Sequence, residues 1–234
     1  MSCHENGAGT VVARIKSQAA ARGIDAFGMC SLEDLRKEHG ALLAEVPDLF
    51  TAALVFGIPV PEGCLVDVID RPTPLYFHHY RQLNYILDQF AAQTAIALER
   101  AGAVAAAVPA SQVTAWQPVP RGWVSHKLLA AAAGLGWWGR NNLLITERHG
   151  ARIRLASVLT DLPAGAAVPP LESRCGSCRA CRRACPAGAI GEEPSSFDAG
   201  ACSEKLGEFQ RLPFISQRIC GVCVKACRPG LAGR

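Results

Sequence analysis

Long apolar runs are missing from this 234-residue chain. Its hydrophobic stretches are short and broken by Gly, Pro or charge, as in Ala52 to Ile58. None approaches the roughly 18 to 20 residues that crossing a bilayer requires. The N-terminus, MSCHENGAGT, has no basic segment followed by an apolar one, so no secretory signal is read there, and a cytoplasmic location with no membrane partner is expected. Charge is sparse at 19%, while half the residues are hydrophobic, which excludes extensive disorder and fits a globular protein. The formal charge of +4 is small and scattered, so nucleic acid is not an expected partner. Internal repeats and low-complexity tracts are absent, and no Asp or Glu occurs between Arg100 and Thr146.

Cysteine, by contrast, is abundant at eleven residues. In a reducing compartment such a number argues for metal rather than a disulfide framework, the more so because eight of them crowd the last quarter of the chain. Cys175, Cys178, Cys181 and Cys185 form the run C-x2-C-x2-C-x3-C with Pro186 directly after, and Cys202, Cys220, Cys223 and Cys227 follow. The first run is the bacterial ferredoxin pattern, in which a compact loop aims three thiolates at one cube and the fourth cysteine serves the other. Applied here, that crossover assigns Cys175, Cys178, Cys181 and Cys227 to one 4Fe-4S cluster and Cys185, Cys202, Cys220 and Cys223 to a second. Zinc sites or buried free thiols are the alternatives, but zinc does not need the triplet spacing. Cys3, Cys30 and Cys64 lie far off in sequence and are expected to be packed or surface thiols without a role. Arg174, Arg179, Arg182, Arg183, Lys225 and Arg228 surround the cluster cysteines. They can offset cluster charge and dock an acidic redox partner, or form an ordinary solvated face.

Upstream, periodicity predicts a helix over 10–23 stopped by Gly23, a short strand and turn, and a buried strand at Leu54 to Ile58 closed by Pro59. A long helix is expected from Tyr80 to Ala101, then a strand at Ala103 to Val108, a helix at Ser125 to Ala133, and a strand at Arg152 to Leu159. The pattern indicates an α+β protein, with a mixed α/β domain over 1–165 and a small two-cluster ferredoxin-like domain over 166–234. The Pro- and Ala-rich stretch Leu162 to Pro170 is the natural linker.

Gly134-Leu135-Gly136-Trp137-Trp138-Gly139 matches G-x-G-x-x-G, but the glycines follow a helix instead of a strand, and two Trp stand where a phosphate cradle would open. Two readings remain open for these glycines: tight helix-to-loop packing, or a flat cofactor lying against the backbone.

The block Ala133 to Ile145, containing Gly-Leu-Gly-Trp-Trp-Gly-Arg-Asn-Asn, then Leu159-Thr160-Asp161-Leu162-Pro163, then the two cysteine runs, resembles the epoxyqueuosine reductase family in order and separation. The resemblance implies an N-terminal domain on a nitroreductase-like cobalamin-binding scaffold, whose cobalt is reduced by the two clusters. Reductive dehalogenases are similar in plan. Lys127, Gly136, Gly139, Arg140, Asn141 and Asn142 are then the expected corrinoid contacts. The family's general-acid Asp has no counterpart, since the region where it would fall reads Pro118-Val119-Pro120-Arg121-Gly122, and its C-terminal helical extension, which helps hold transfer RNA, does not follow Cys227. Opening an epoxide by reduction needs a proton donor, so epoxyqueuosine is not the expected substrate. His126 is the candidate catalytic residue, as proton donor, cobalt ligand or corrin contact. His78 and His79, beside Tyr76 and Tyr80, form a second polar-aromatic cluster of a kind that is most often structural.

The expectation is therefore an iron-sulfur oxidoreductase that passes single electrons from two 4Fe-4S clusters to a corrinoid or substrate, supplied by a low-potential electron donor. The alternative is an electron carrier, or an activator of a partner corrinoid protein.

Overall fold

The computed structural model describes residues 3–116, 120–165 and 168–228, with side chains from residue 9 onward. Pro118 and Val119, in the region where an acid would fall, lie outside the described residues, as does the side chain of Cys3. The chain runs α1 (Cys3–Ala20), β1 (Ala26–Ser31), α2 (Leu32–His39), β2 (Ala52–Pro59), α3 (Pro74–Arg100), β3 (Ala105–Val108) and α4 (His126–Ala132). The short strands β4 (Trp137–Trp138) and β5 (Leu144–Ile145) precede β6 (Ile153–Thr160). The helices α5 (Ala180–Ala184), α6 (Ala199–Phe209) and α7 (Val222–Ala226) carry the cysteine region.

The main sheet has the order β1-β2-β6-β3, and every neighbouring pair is antiparallel. Side chains of a strand alternate between faces, and β2 uses both. Leu54, Phe56 and Ile58 pack with Ala156 and Val158 under Leu87, Phe90 and Leu98 of α3 and Ile15 of α1. Ala53 and Val55 point the other way with Leu155 and Leu159, under Leu128 and Leu129 of α4 and Leu32 and Leu35 of α2. Helices on both faces explain why β2 reads as an unbroken apolar run.

Local chemistry sets the element ends. Thr73 caps α3 by accepting the Tyr76 N–H at 3.2 Å, with Pro74 at the first helical position, where proline fits best. The helix therefore starts six residues before the Tyr80 expected from periodicity, which does not register caps. α1 begins ahead of residue 10, and Gly23 ends the turn after it at φ +72°. Ser125 caps α4 through Leu128 N–H at 3.3 Å, and Gly134 closes it at φ +70°, a left-handed position that suits glycine.

The mixed α and β architecture is as expected. The boundary placed at 165/166 falls between β6 and the cysteine region, yet Ile215, Ile219 and Val222 sit in the same hydrophobic cluster as Leu87 and Phe90. Thus the cysteine region is fastened to the α3 side of the sheet by shared core.

Candidate metal centres and the adjoining cavity

The cluster cysteines sort into two groups by the charges they exert on one another. Cys181 feels Cys175 and Cys178, and Cys227 feels Cys181, Cys175 and Cys178. Cys202 feels Cys185, and Cys220 feels Cys202 and Cys185. Cys223 feels Cys220, Cys202 and Cys185, and also Cys181, which links the groups. Burial is the largest influence on these five thiols and raises each, Cys220 and Cys227 to about 11. Among the described residues, no three His, Cys, Asp or Glu close on one point as the ligands of a single ion do.

Backbone turns create this grouping. Gly176 at φ +47° and the Cys178 N–H to Cys175 carbonyl bond at 3.0 Å fold the first loop. Cys185 ends α5 in extended conformation (φ −67°, ψ 115°), as a residue before proline prefers, and so leaves the loop of the first three. Gly221, at φ +86°, starts α7 with its Cα against the Tyr76 ring, where a Cβ would stand 2.6 Å from Cε1. Gly150, at φ +59°, lies against Cys227, and a Cβ there would run into the Cys227 carbonyl oxygen. Cys30 and Cys64 are buried apart from these groups, and burial pushes the Cys30 thiol up to about 12.

Cys175, Cys178, Cys181 and Cys227 wall a cavity of about 250 Å³ that Trp137, Arg140 and Asn141 also line. Arg140, only 5% exposed, donates to the carbonyls of Gly176 at 2.7 Å and Cys178 at 3.0 Å, and to that of Glu192. Soft thiolates around such a space, in a loop whose carbonyls are already satisfied, fit an iron-sulfur cluster.

A larger cavity of about 700 Å³ takes Tyr76 from α3, Val108 from β3, His126 and Lys127 from α4, Arg154 from β6 and Val224 from α7. This volume is within the range of cofactor and substrate clefts. Tyr76 feels Cys223 and Cys220, Lys127 feels Cys202, and Val224 adjoins Cys223 in sequence. The second thiol group therefore stands behind this cavity's wall. Positive charge dominates the lining: Arg121, Lys127 and Arg154 against one carboxylate, the exposed Glu45. Lys127 donates to the Asn142 carbonyl at 2.7 Å and lies 5.2 Å from the Trp138 ring centroid. Burial lowers its pKa while Cys202 opposes the shift. Among the described residues Arg154 meets neutral acceptors only, chiefly Asn84 Oδ1 at 2.9 Å, Ser111 Oγ at 3.0 Å and the Tyr80 hydroxyl at 3.2 Å.

His126 lines the cavity, but both its ring nitrogens are engaged. Nε2 lies 3.0 Å from the Pro109 carbonyl, which only accepts, so Nε2 carries the proton and Nδ1 accepts from Ser157 Oγ at 2.9 Å. Burial, aided by the charge of Arg154, pushes its pKa down to about 4 despite the Pro109 bond. The expected proton donor is thus a neutral, doubly bonded imidazole near pH 7.

The remaining expected corrinoid contacts divide. Lys127 and Asn142 do face the 700 Å³ cavity. Arg140 and Asn141 face the thiol cavity instead, because their segment forms the partition between the two spaces. Gly136 and Gly139 line neither. A Cβ at Gly136 would run into the Ile145 carbonyl oxygen, and one at Gly139 would stand 2.5 Å from Ile145 Cγ1. Of the two readings left open, packing of the β4–β5 hairpin accounts for both glycines. His78 and His79 lie on α3 with ring centroids 5.8 Å apart, and neither lines the cavity.

Sequence reasoning missed Arg154 and Trp137 as residues lining the two cavities. For Arg154 a signal existed, namely the one charged residue in a strand that is mostly apolar. Trp137 carried none that distinguishes it from a core aromatic.

No family model matches the chain. Epoxyqueuosine reductase of Gloeobacter violaceus is 35% identical over 119 residues, covering 47% of this chain and 37% of the relative. The Escherichia coli epoxyqueuosine reductase is 42% identical over 86 residues, covering 36% and 21%. The chain thus matches about a fifth to a third of these relatives' length. Among solved structures, a catabolic reductive dehalogenase in complex with 3-bromo-4-hydroxybenzoic acid matches at TM-score 0.69 and 20% identity, over 91% of this chain and 31% of that one. An epoxyqueuosine reductase with a modified transfer-RNA stem loop matches at TM-score 0.57 and 20% identity, over 92% and 64%. These likenesses establish the fold. The second structure holds a nucleic acid, so the expectation against nucleic acid does not extend to this fold as a whole.

Proposed function

We propose that this chain, epoxyqueuosine reductase-like in sequence and fold, is an iron-sulfur oxidoreductase that delivers single electrons from two 4Fe-4S clusters into its 700 Å³ cavity, where a corrinoid is held. The observation that carries this reading is the placement of the second thiol group directly behind the cavity wall formed by Tyr76, Lys127 and Val224. Cys175, Cys178, Cys181 and Cys227 would hold the first cluster, and Cys185, Cys202, Cys220 and Cys223 the second. Arg140 fixes the first loop, while Lys127 and Asn142 line the corrinoid cavity. Bound clusters supply one-electron transfer, and a corrinoid supplies a metal centre for the bond-breaking step. The chain's own contribution is binding, orientation and charge. Lys127 and Arg154 bring positive charge with no carboxylate partner among the described residues, which favours an anionic or electron-rich occupant. Arg174, 58% exposed at the side chain, and the exposed Arg228 line the first thiol cavity and offer an acidic, low-potential donor protein an entry side.

A second reading draws on the protonation of the cavity. His126 is neutral and bonded on both nitrogens, and Glu45 is the one carboxylate in the lining, so no buried acid faces this space among the described residues. That favours an electron carrier, or an activator that reduces a partner's corrinoid, over an enzyme that protonates a substrate. Titration of anaerobically purified, cluster-loaded protein with hydroxocobalamin followed by desalting separates the two. Stoichiometric cobalamin retained supports the corrinoid oxidoreductase, and loss of all cobalamin from cluster-loaded protein moves the function to the carrier or activator.

A further inference from the structure

Two hydrogen-bond donors in the partition have no acceptor. The indole Nε1–H of Trp137 and the side-chain amide nitrogen of Asn141 are buried without partners among the described residues, in side chains belonging to residues only 4% and 3% exposed. A buried donor without an acceptor carries a desolvation penalty, so two such donors in residues of one wall call for a reason. Both residues belong to the wall of the cavity formed by Cys175, Cys178, Cys181 and Cys227. The amide orientation of Asn141 is fixed by its surroundings. Its Oδ1 is turned toward the backbone N–H of Leu143 at 3.4 Å, where a flipped NH2 would face another donor. Indole offers a donor and no acceptor at all, so Trp137 cannot be satisfied by any rearrangement of neighbouring N–H groups. Arg140 is spent on the loop carbonyls of Gly176, Cys178 and Glu192 and does not compete for the cavity.

We infer that Trp137 Nε1–H and the Asn141 amide donate hydrogen bonds to sulfur atoms of the cluster held by Cys175, Cys178, Cys181 and Cys227, and thereby raise its reduction potential. Cluster sulfurs are acceptors whose negative charge grows on reduction, so donors aimed at them stabilise the reduced state more than the oxidised one. The two residues are positioning and tuning groups for electron entry; neither transfers a proton. This inference rests on the proposed assignment of a cluster to that cavity.

The test is a redox titration of the anaerobic holoprotein followed by electron paramagnetic resonance. Trp137→Phe keeps the ring and deletes the donor, and Asn141→Leu keeps the size and deletes the amide. Each should lower the midpoint of one cluster by about tenfold in its reduction equilibrium, ~59 mV for one electron, and leave the other cluster in place. Unchanged midpoints in both variants, with both clusters present, would overturn the inference while leaving the cluster assignment standing. If Cys178→Ala instead leaves iron content and both signals as in the parent, no cluster occupies the cavity, and assignment and inference fall together. Should Trp137→Phe fail to load, the parent protein labelled with 15N-indole tryptophan decides the matter. A 15N hyperfine coupling to the reduced cluster is expected, since Trp137 is the tryptophan that lines this cavity, and its absence would overturn the proposal.

Discussion

Arg140→Met removes the brace between the hairpin segment and the first cysteine loop while keeping an apolar stem. Three carbonyl bonds are lost, to Gly176, Cys178 and Glu192. At the ~1.5 kcal/mol lower bound for a bond to a charged group, the simple sum is about 4–5 kcal/mol. The structure argues for less, because Arg179 also donates to the Gly176 carbonyl at 2.9 Å and the Cys178 carbonyl at 3.2 Å, and Gly176 is exposed to water. A loss of about 2–4 kcal/mol results, which lowers Tm by roughly 5–15 °C for a chain of this size. The loop that frays carries Cys175, Cys178 and Cys181, so iron should fall from about eight to about four per chain, the loading of one four-iron cluster. Circular dichroism melting and iron analysis on anaerobic protein read both effects. Arg140→Lys should recover little, because a point charge does not reach three separate carbonyls as the guanidinium does. An Arg140→Met protein with unchanged Tm and full iron would refute the role assigned to this side chain.

Gly136→Ala should destabilise the protein by about 1–3 kcal/mol through overpacking, because its Cβ meets the Ile145 carbonyl; a cofactor-free denaturant titration that finds no change would return the glycine to a cofactor role. His126 gives a pH signature. Its folded pKa of about 4 lies below the 6.5 of the free side chain, so from pH 6.5 down to about 4 the unfolded chain takes up a proton that the folded one refuses, and stability falls. The gap corresponds to roughly 3 kcal/mol in full and about 2 kcal/mol between pH 7 and 5. Denaturation at both pH values should show this loss in the parent and its absence in His126→Gln; equal pH dependence in the two proteins would contradict it. Ligand crossover is tested by pairing variants: Cys227→Ser should perturb the same paramagnetic signal as Cys178→Ser, and Cys185→Ser the other. Perturbation of one common signal by Cys185→Ser and Cys178→Ser would reverse the grouping.

Elements set by short-range periodicity were legible from residues alone. The β2 run, the α4 helix and β6 follow from patterning that neighbours in sequence decide. The start of α3 was not, because Thr73 and Pro74 act through capping rather than through an apolar stripe. The cysteine spacing likewise anticipated how the thiols group in space, with Cys185 in extended conformation leaving the loop of the first three. What sequence left undecided was the partition. Arg140, Asn141 and Asn142 are consecutive yet face two cavities, because Asn142 takes φ +55° and turns the chain between them. The same holds for His126, whose chemistry is set by Pro109 and Ser157, residues brought beside it only by the pairing of β3 with β6.

The most direct test of the central claim is metal analysis joined to electron paramagnetic resonance of the dithionite-reduced, anaerobically purified protein. The account predicts about eight irons and eight sulfides per chain, as two four-iron clusters require, with signals from two magnetically coupled centres. Zinc in place of iron, or iron without sulfide, would contradict it.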